Sequence, residues 1–229
     1  SCFRKGSDPV EEFQKAIAIL KRFRLVTCNS RILHEILAPH LLPNLVLAQN
    51  GVDADFFLPQ WFREFSPQCP RIGLVGKDKG AKNIQVFMGA LQKLDGECAE
   101  FAAIVPKKRG GPVKDRPGMS EFYQKLDFYV CTSWHEGTPN GLLEASSCGL
   151  PAITTVVGNA PEIIREGDTG WFIEPTAESL IACVERLQHL EPWKYREMSR
   201  AIRAEIELNW SWAKRAEPYR KALEVVCNS

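Results

Sequence analysis

The chain has 229 residues, of which 45% are hydrophobic and 25% are charged, and its formal net charge is +1. This composition is typical of a globular protein with one large domain, or one domain and a piece of another. A net charge so close to zero excludes an overall electrostatic preference for nucleic acid or for an anionic membrane. No apolar run approaches the roughly 20 residues that span a bilayer.

Cysteine usage predicts the compartment. The eight cysteines form no C-x-x-C pair and no cluster with histidine. Small buried hydrophobic residues in a reducing compartment explain them better than a disulfide framework or a zinc site. Because no signal peptide is visible, we expect a cytoplasmic protein, either free or peripheral to a membrane.

The first part of the chain alternates between helical and strand patterns. Apolar residues at helical spacing predict a helix over residues 9–23, and a short strand is predicted at 25–28. A second helix, capped by Ser30, should end before Pro39. Another strand is predicted at 45–49.

The remainder of the chain repeats the alternation. Buried strands are predicted at 71–76, 99–105, 128–130, 152–157 and 171–173. Helices are predicted between them, including one that begins at Ser120, and three more follow Thr176. Alternating strands and helices require a parallel sheet with helices on both faces, so the predicted fold class is α/β and Rossmann-like.

One stretch carries the strongest functional signal. After the strand at 128–130, Gly137, Pro139, Asn140 and Gly141 mark a tight loop that leads into a short helix. Gly149 should end this helix as its C′ residue. Two glutamates flank the loop: Glu136 precedes it and Glu144 lies early in the helix. In an open parallel sheet, ligands bind beyond the strand ends, where helix amides can face an anion.

Seven residues separate Glu136 from Glu144, an E-x7-E spacing that is common by chance. Here it stands in an ordered series of matches at Asp127, Ser133, Gly137, Leu143, Ala145, Cys148, Gly149, Pro151, Gly158, Pro161, Glu162, Gly167 and Gly170. The run from 126 to 176 resembles glycosyltransferase family 4, whose retaining enzymes have two Rossmann-like halves, the GT-B fold. The alternative is that both glutamates are solvated surface residues.

The resemblance also implies a division of the chain. Family 4 enzymes cross into their C-terminal half just before an N-G-V-D segment, which stands here at 50–53. Residues 1–44 would then be a helix-strand-helix remnant of the N-terminal half. Residues 45–229 would be the C-terminal nucleotide-sugar-binding domain with its terminal helix. Most of the N-terminal half, where family acceptors chiefly bind, would be absent.

The resemblance to family 4 also implies roles for individual residues at the donor site. Lys77 and Lys82 match the basic residues that bind the donor diphosphate, although Lys77 replaces the usual arginine and lacks its bidentate fork. Glu136 would lie beside the donor sugar as the third catalytic residue, and Glu144 would bind ribose hydroxyls. The other substrate-binding positions implied are Gly76, Gly137, Thr138, Pro139, Asn140, Gly141 and Leu142. Alternatively, the lysines only solvate a loop.

The predicted function is therefore a retaining hexosyltransferase that moves a sugar from a nucleotide-diphosphate donor to an acceptor hydroxyl. Fixed cations and amides can stabilise the departing phosphate, so we expect no metal and no cofactor. The expected partners are a nucleotide sugar, an acceptor (glycan, lipid-linked sugar or protein) and a missing N-terminal half, but no nucleic acid. The alternative is a non-catalytic nucleotide-sugar-binding or assembly module that needs a partner chain. Trp134, Trp171, Trp210 and Trp212 are expected in the core, and His135 is expected to be structural or exposed.

Overall fold

A computed structural model describes residues 8–62, 64–76, 80–94, 99–104 and 115–227. Lys77, one of the three predicted catalytic residues, lies outside these ranges, so its role stays a prediction. Among the described residues, no helix combines the length and hydropathy needed to cross a membrane.

The N-terminal segment forms a small unit of two helices and two strands. Its elements are α1 (Pro9–Leu20), β1 (Val26–Cys28), α2 (Arg31–Leu41) and β2 (Leu45–Leu47). The side chains of Asp8 and Ser30 cap α1 and α2 by accepting from backbone N–H groups at 2.9 and 3.2 Å. β1 and β2 pair in parallel as a separate two-stranded sheet, so strand pairing carries this unit past residue 44. The division of the chain at residue 44 stays a prediction.

α2 runs through Pro39 to Leu41, so the prediction that it ends before this proline is wrong. Pro39 lies in the last turn, where its missing N–H removes one helical hydrogen bond. Leu37 and Leu41, one turn apart, are both buried in a core shared with Ile17 and Leu45. Burying this extra leucine outweighs the lost bond, since a buried leucine contributes about 1.5–3 kcal/mol.

The main sheet has five strands, and every pair is parallel. They are β3 (Arg71–Val75), β4 (Glu100–Ile104), β5 (Phe128–Cys131), β6 (Ala152–Thr154) and β7 (Gly170–Phe172). Their order is β4-β3-β5-β6-β7. β4 thus lies on one side of β3, whereas β5, β6 and β7 follow one another on its other side. The carboxyl ends of β3 and β5 mark the resulting switch point, where a crevice opens in such sheets.

Helices cover both faces of this sheet, which confirms the predicted α/β fold class. They are α3 (Ile84–Leu94), α4 (Arg116–Tyr123), α5 (Asn140–Ser147), α6 (Ala160–Ile163), α7 (Ala177–Leu187), α8 (Pro192–Glu205) and α9 (Trp212–Cys227). Alternate residues of β5 show the two layers. Phe128 and Val130 pack with α3 and α7, whereas Tyr129 and Cys131 pack with α4 and α5.

Two local predictions were wrong. α4 begins at Arg116 rather than at Ser120, because Asp115 caps it by accepting from Gly118 N at 2.9 Å. Trp134 and Trp212 are 51% and 44% exposed, although they were expected in the core. Trp171 and Trp210 are buried, as predicted.

The last helix returns to the segment that joins the two sheets. Val52 exchanges backbone hydrogen bonds with Trp210 and Trp212 at 2.9 and 3.0 Å. In α9, the Tyr219 hydroxyl donates to Ala48 O at 2.6 Å. α9 therefore packs against β2 and the residues just after it.

One buried ion pair anchors the start of the central strands. Asp127 has a 1% exposed side chain and accepts three hydrogen bonds from Arg71, one from its backbone N–H and two from its guanidinium. We expect Asp127→Asn to lower the free energy of unfolding by about 2–4 kcal/mol, because it leaves a partly buried guanidinium without its counter-charge. Urea denaturation measures the difference.

The matched control is Lys93→Gln, which breaks an ion pair whose two side chains are 60% and 76% exposed. Its effect should stay below about 1 kcal/mol. Equal effects of the two substitutions would contradict the anchoring role of Asp127.

Candidate functional site

The candidate site lies at the switch point, beyond the carboxyl ends of β3 and β5. A 3-10 turn (Gly80–Lys82) follows β3, and Thr132, directly after β5, holds it in place. The Thr132 hydroxyl lies 3.1 Å from the backbone oxygens of both Lys82 and Asn83. Asn83 has φ +46°, a left-handed conformation that asparagine tolerates better than most residues. These contacts place the Lys82 side chain over the end of β5.

Lys82 and Glu136 are in direct contact. Lys82 Nζ lies 2.5 Å from Glu136 Oε1, and the same oxygen accepts from the Ser133 hydroxyl at 2.6 Å. The Glu136 side chain is only 11% exposed, and that of Lys82 is 32% exposed. A charge-assisted bond in this setting fixes both groups. Two of the three predicted catalytic residues are thus brought together.

Glu144 lies one turn into α5, in a different environment. Its Oε2 accepts from the Tyr123 hydroxyl at 2.8 Å. Burial raises the pKa of Glu144, while the hydrogen bond from Tyr123 and the charge of Arg116 act to lower it. Its other oxygen, Oε1, accepts no hydrogen bond from the described part of the chain.

Tyr129 lies buried under the start of α5. Its buried phenol lies beneath Gly141, where an added Cβ would come within 2.3 Å of the phenol oxygen. Burial raises the pKa of Tyr129 well above its ordinary value, and the negative charges of Glu136 and Glu144 both contribute. Both carboxylates therefore lie within electrostatic range of one hydroxyl at the start of α5.

The first turn of α5 presents unpaired backbone donors. Pro139 occupies the N-cap position and has no side chain that could accept a hydrogen bond. Within the described ranges, the N–H groups of Asn140 and Gly141 donate to no acceptor. Such free amides, with the helix dipole, favour an anion. Leu142 differs, because its side chain is fully buried and its N–H donates to Pro139 O at 2.9 Å.

The loop before α5 is closely packed. A Cβ on Gly158 would come within 2.4 Å of Gly137 O, and Gly158 itself has φ +55°. The Thr138 hydroxyl donates to Asn29 O at 2.9 Å. Gly76, at the end of β3, lines a cavity of about 10 Å³ beside Lys82 and Ser133. Close backbone approach thus defines the wall of the crevice.

A larger cleft adjoins Glu144. It has a volume of about 320 Å³ and is lined by Asn50, Gly51, Val52, Asp53, Phe57, Arg116, Asn140, Leu143, Glu144 and Trp212. Arg116 pairs with Asp53 at 2.8 Å, and its guanidinium lies 4.4 Å from the Phe56 ring centroid. The volume of the cleft lies at the lower end of the range of small-molecule sites.

The described residues offer no evident metal centre. No group of three histidine, cysteine, aspartate or glutamate side chains is clustered among them. Asp53 and Asp55 have D-x-D spacing, but Asp53 already accepts from Arg116 and from Phe56 N. The Arg116 hydrogen bond lowers the pKa of Asp53. Asp53 therefore helps to build the cleft wall.

Several site residues were missed at the level of the sequence. Arg116 escapes recognition because α4 is predicted to start too late, whereas Tyr123 escapes it because its contact with Glu144 joins distant parts of the chain. The sequence indicates Asn50 and Asp53 only as part of the N-G-V-D segment that marks the division of the chain, although Asn50 Nδ2 donates to Asn140 Oδ1 at 3.1 Å. Their N-G-V-D context was the available signal. Asn29 had none.

Glu144→Gln tests the burial of this carboxylate. Above the unfolded-state pKa of about 4.3, ionising Glu144 costs the folded state more than the unfolded state, because its folded pKa is raised. Wild-type stability should therefore fall as pH rises towards the folded pKa. We expect Glu144→Gln to unfold at a higher temperature than wild type at pH 7.5, and at the same temperature below pH about 4. Calorimetry of wild type and variant over this pH range measures the two unfolding temperatures.

Glu178→Gln is the control of opposite sign. A backbone N–H and Lys93 lower the pKa of this exposed carboxyl, so its ionised form favours folding. Its removal should lower the unfolding temperature at pH 7.5. A pH-independent difference for Glu144→Gln would contradict the buried site.

Comparison with known proteins identifies the type of domain. Residues 106–189 match the family model Glycosyl transferases group 1. Among curated proteins, N-acetyl-alpha-D-glucosaminyl L-malate synthase of Bacillus anthracis is 31% identical over 104 residues, which is 40% of this chain and 27% of that protein. The chain spans about a quarter of the length of such relatives.

Solved structures agree on the fold. Sucrose-phosphate synthase from Thermosynechococcus elongatus superposes with a TM-score of 0.81 at 16% identity, covering 100% of this chain and 65% of that one. HepE from Anabaena, solved in complex with UDP and glucose, superposes with a TM-score of 0.75 at 14% identity, covering 93% and 67%. Residues 106–189 are therefore similar to the glycosyl transferases group 1 family, and the fold of the chain is that of GT-B glycosyltransferases.

Proposed function

We propose that this chain is the donor-binding half of a glycosyltransferase. It binds a nucleotide-diphosphate sugar and transfers the sugar to an acceptor hydroxyl, with retention of configuration and without a metal ion. The observation that carries the proposal is the Lys82–Glu136 contact at the switch point. Glu136 stands on the loop that leads into α5, where two N–H groups donate to no described acceptor and Glu144 is partly buried.

The donor diphosphate is the anion in this proposal. Lys82 supplies a cation, and the N–H groups of Asn140 and Gly141, which donate to no acceptor among the described residues, supply two donors at a helix N-terminus. Lys77, outside the described ranges, would add a second cation. Without ligand, Glu136 neutralises Lys82. With a donor bound, the diphosphate shares this lysine.

The nucleoside extends towards Glu144. This carboxylate has one oxygen fixed by Tyr123 and one that accepts no hydrogen bond from the described residues. A free carboxylate oxygen suits the vicinal hydroxyls of a ribose. The adjoining cleft of about 320 Å³ has room for part of the nucleoside.

The reaction breaks the bond between the anomeric carbon and the diphosphate oxygen, and the electron pair leaves with the diphosphate. Positive charge grows on the sugar as negative charge grows on the leaving group. Lys82 and the α5 amides stabilise the leaving group more in the transition state than in the ground state. Glu136 lies beside the sugar. The acceptor hydroxyl attacks from the face that the diphosphate leaves, and the diphosphate takes its proton.

A binding module that needs a partner chain is the second candidate. It is favoured by one observation, namely that the chain spans about a quarter of the length of its curated relatives. Both candidates require the same donor site. They differ only in whether this chain, without a partner, transfers the sugar from the donor.

Titration calorimetry with UDP, UDP-glucose, GDP, GDP-mannose, ADP and ADP-glucose tests the donor site. We expect the chain to bind at least one nucleoside diphosphate and its sugar, with the same affinity in excess EDTA. Lys82→Gln should weaken binding of both about 10-fold or more, because it removes a charge-assisted hydrogen bond. Glu144→Ala should weaken both as well.

The charge-matched control is Lys93→Gln, whose ion pair with Glu178 is exposed. It should leave each dissociation constant unchanged. If none of the six compounds binds, or if Lys82→Gln has no more effect than Lys93→Gln, the proposed function is wrong.

A further inference from the structure

Asn29 approaches the donor loop from the N-terminal unit. It lies between the end of β1 and Ser30, the N-cap of α2, and it is half-buried. Its backbone oxygen accepts from the Thr138 hydroxyl at 2.9 Å. The residue that follows β1 in the small sheet therefore contacts the loop that follows β5 in the main sheet.

The Asn29 side chain lies directly on Gly137. A Cβ added to Gly137 would come within 2.3 Å of Asn29 Oδ1 and 2.8 Å of Nδ2. The Asn29 carboxamide therefore occupies the position that a side chain at residue 137 would need. Glu136, paired with Lys82, is the preceding residue of the same loop.

The carboxamide has unused hydrogen-bonding capacity. It makes no hydrogen bond to any other part of the described chain, although an amide can donate two and accept two. The attachment of the N-terminal unit does not depend on it. Gln49 Nε2 and Arg31 both contact the Glu162 carboxylate, at 2.7 and 3.3 Å.

We propose that the Asn29 carboxamide binds a hydroxyl of the donor's transferred sugar. This inference rests on the proposed function. In that function, Glu136 adjoins the sugar and Asn140 adjoins the diphosphate, and Asn29 contacts the loop between them. A carboxamide offers a donor and an acceptor, which matches a hydroxyl, and it adds no charge beside Glu136. Asn29 is therefore a sugar-binding residue supplied by the N-terminal unit.

Asn29→Ala, measured with a nucleotide sugar and with its parent diphosphate, isolates the sugar contact. UDP-glucose and UDP are used, or the equivalent pair that wild type binds. We expect the dissociation constant for the nucleotide sugar to rise about 3- to 10-fold, as for one neutral hydrogen bond. The constant for the free diphosphate should change less than about 2-fold, which also shows that the variant is folded.

Arg31→Ala is the matched control, because it removes an ion pair of the same interface without touching Gly137. It should leave the ratio of the two constants unchanged. If Asn29→Ala weakens both compounds equally, or neither, the sugar contact is refuted while the proposed function stands. If wild type binds no nucleotide sugar and no nucleoside diphosphate, both are refuted.

Discussion

The ion pair between Lys82 and Glu136 joins two loops that reach the site from adjacent strands. Lys82 follows β3 and Glu136 follows β5, so the pair forms only because the reversal of strand order makes these strands neighbours. Ser133 fixes the carboxylate and Thr132 fixes the turn that carries the lysine. A cation is therefore held at the crevice before a ligand arrives. Fixed charges of this kind reorganise little during a reaction, which makes them effective in stabilising a leaving group.

The two carboxylates of the site have different surroundings. Glu136 is paired with a cation, whereas Glu144 is partly buried and hydrogen-bonded to the phenol of Tyr123, so burial raises its pKa. The phenol of Tyr129, whose pKa both negative charges raise, is buried beneath Gly141. Two acids with different surroundings can serve different roles in one site. In the proposed function, one adjoins the reacting sugar and the other the nucleoside.

The positions of the main strands followed from the sequence to within a few residues, because each is a buried apolar run between turn residues. The location of Glu136 and Glu144 around the start of α5 followed from the same reasoning. The course of α2 past Pro39 did not, since it depends on burial of Leu41 against other elements. Contacts such as Tyr123 with Glu144 and Asn29 with Gly137 join distant parts of the chain, and no local pattern encodes them.

The most direct test of a single anion-binding crevice is a titration followed by the amide NMR signals of the chain. On saturation with the nucleoside diphosphate that binds best, the largest shift changes should fall on Thr138, Asn140 and Gly141, with further changes at Ser133 and Lys82. Signals from α8 and from the exposed end of α9 should not move. Largest changes at α8, or changes spread evenly over the chain, would contradict the account.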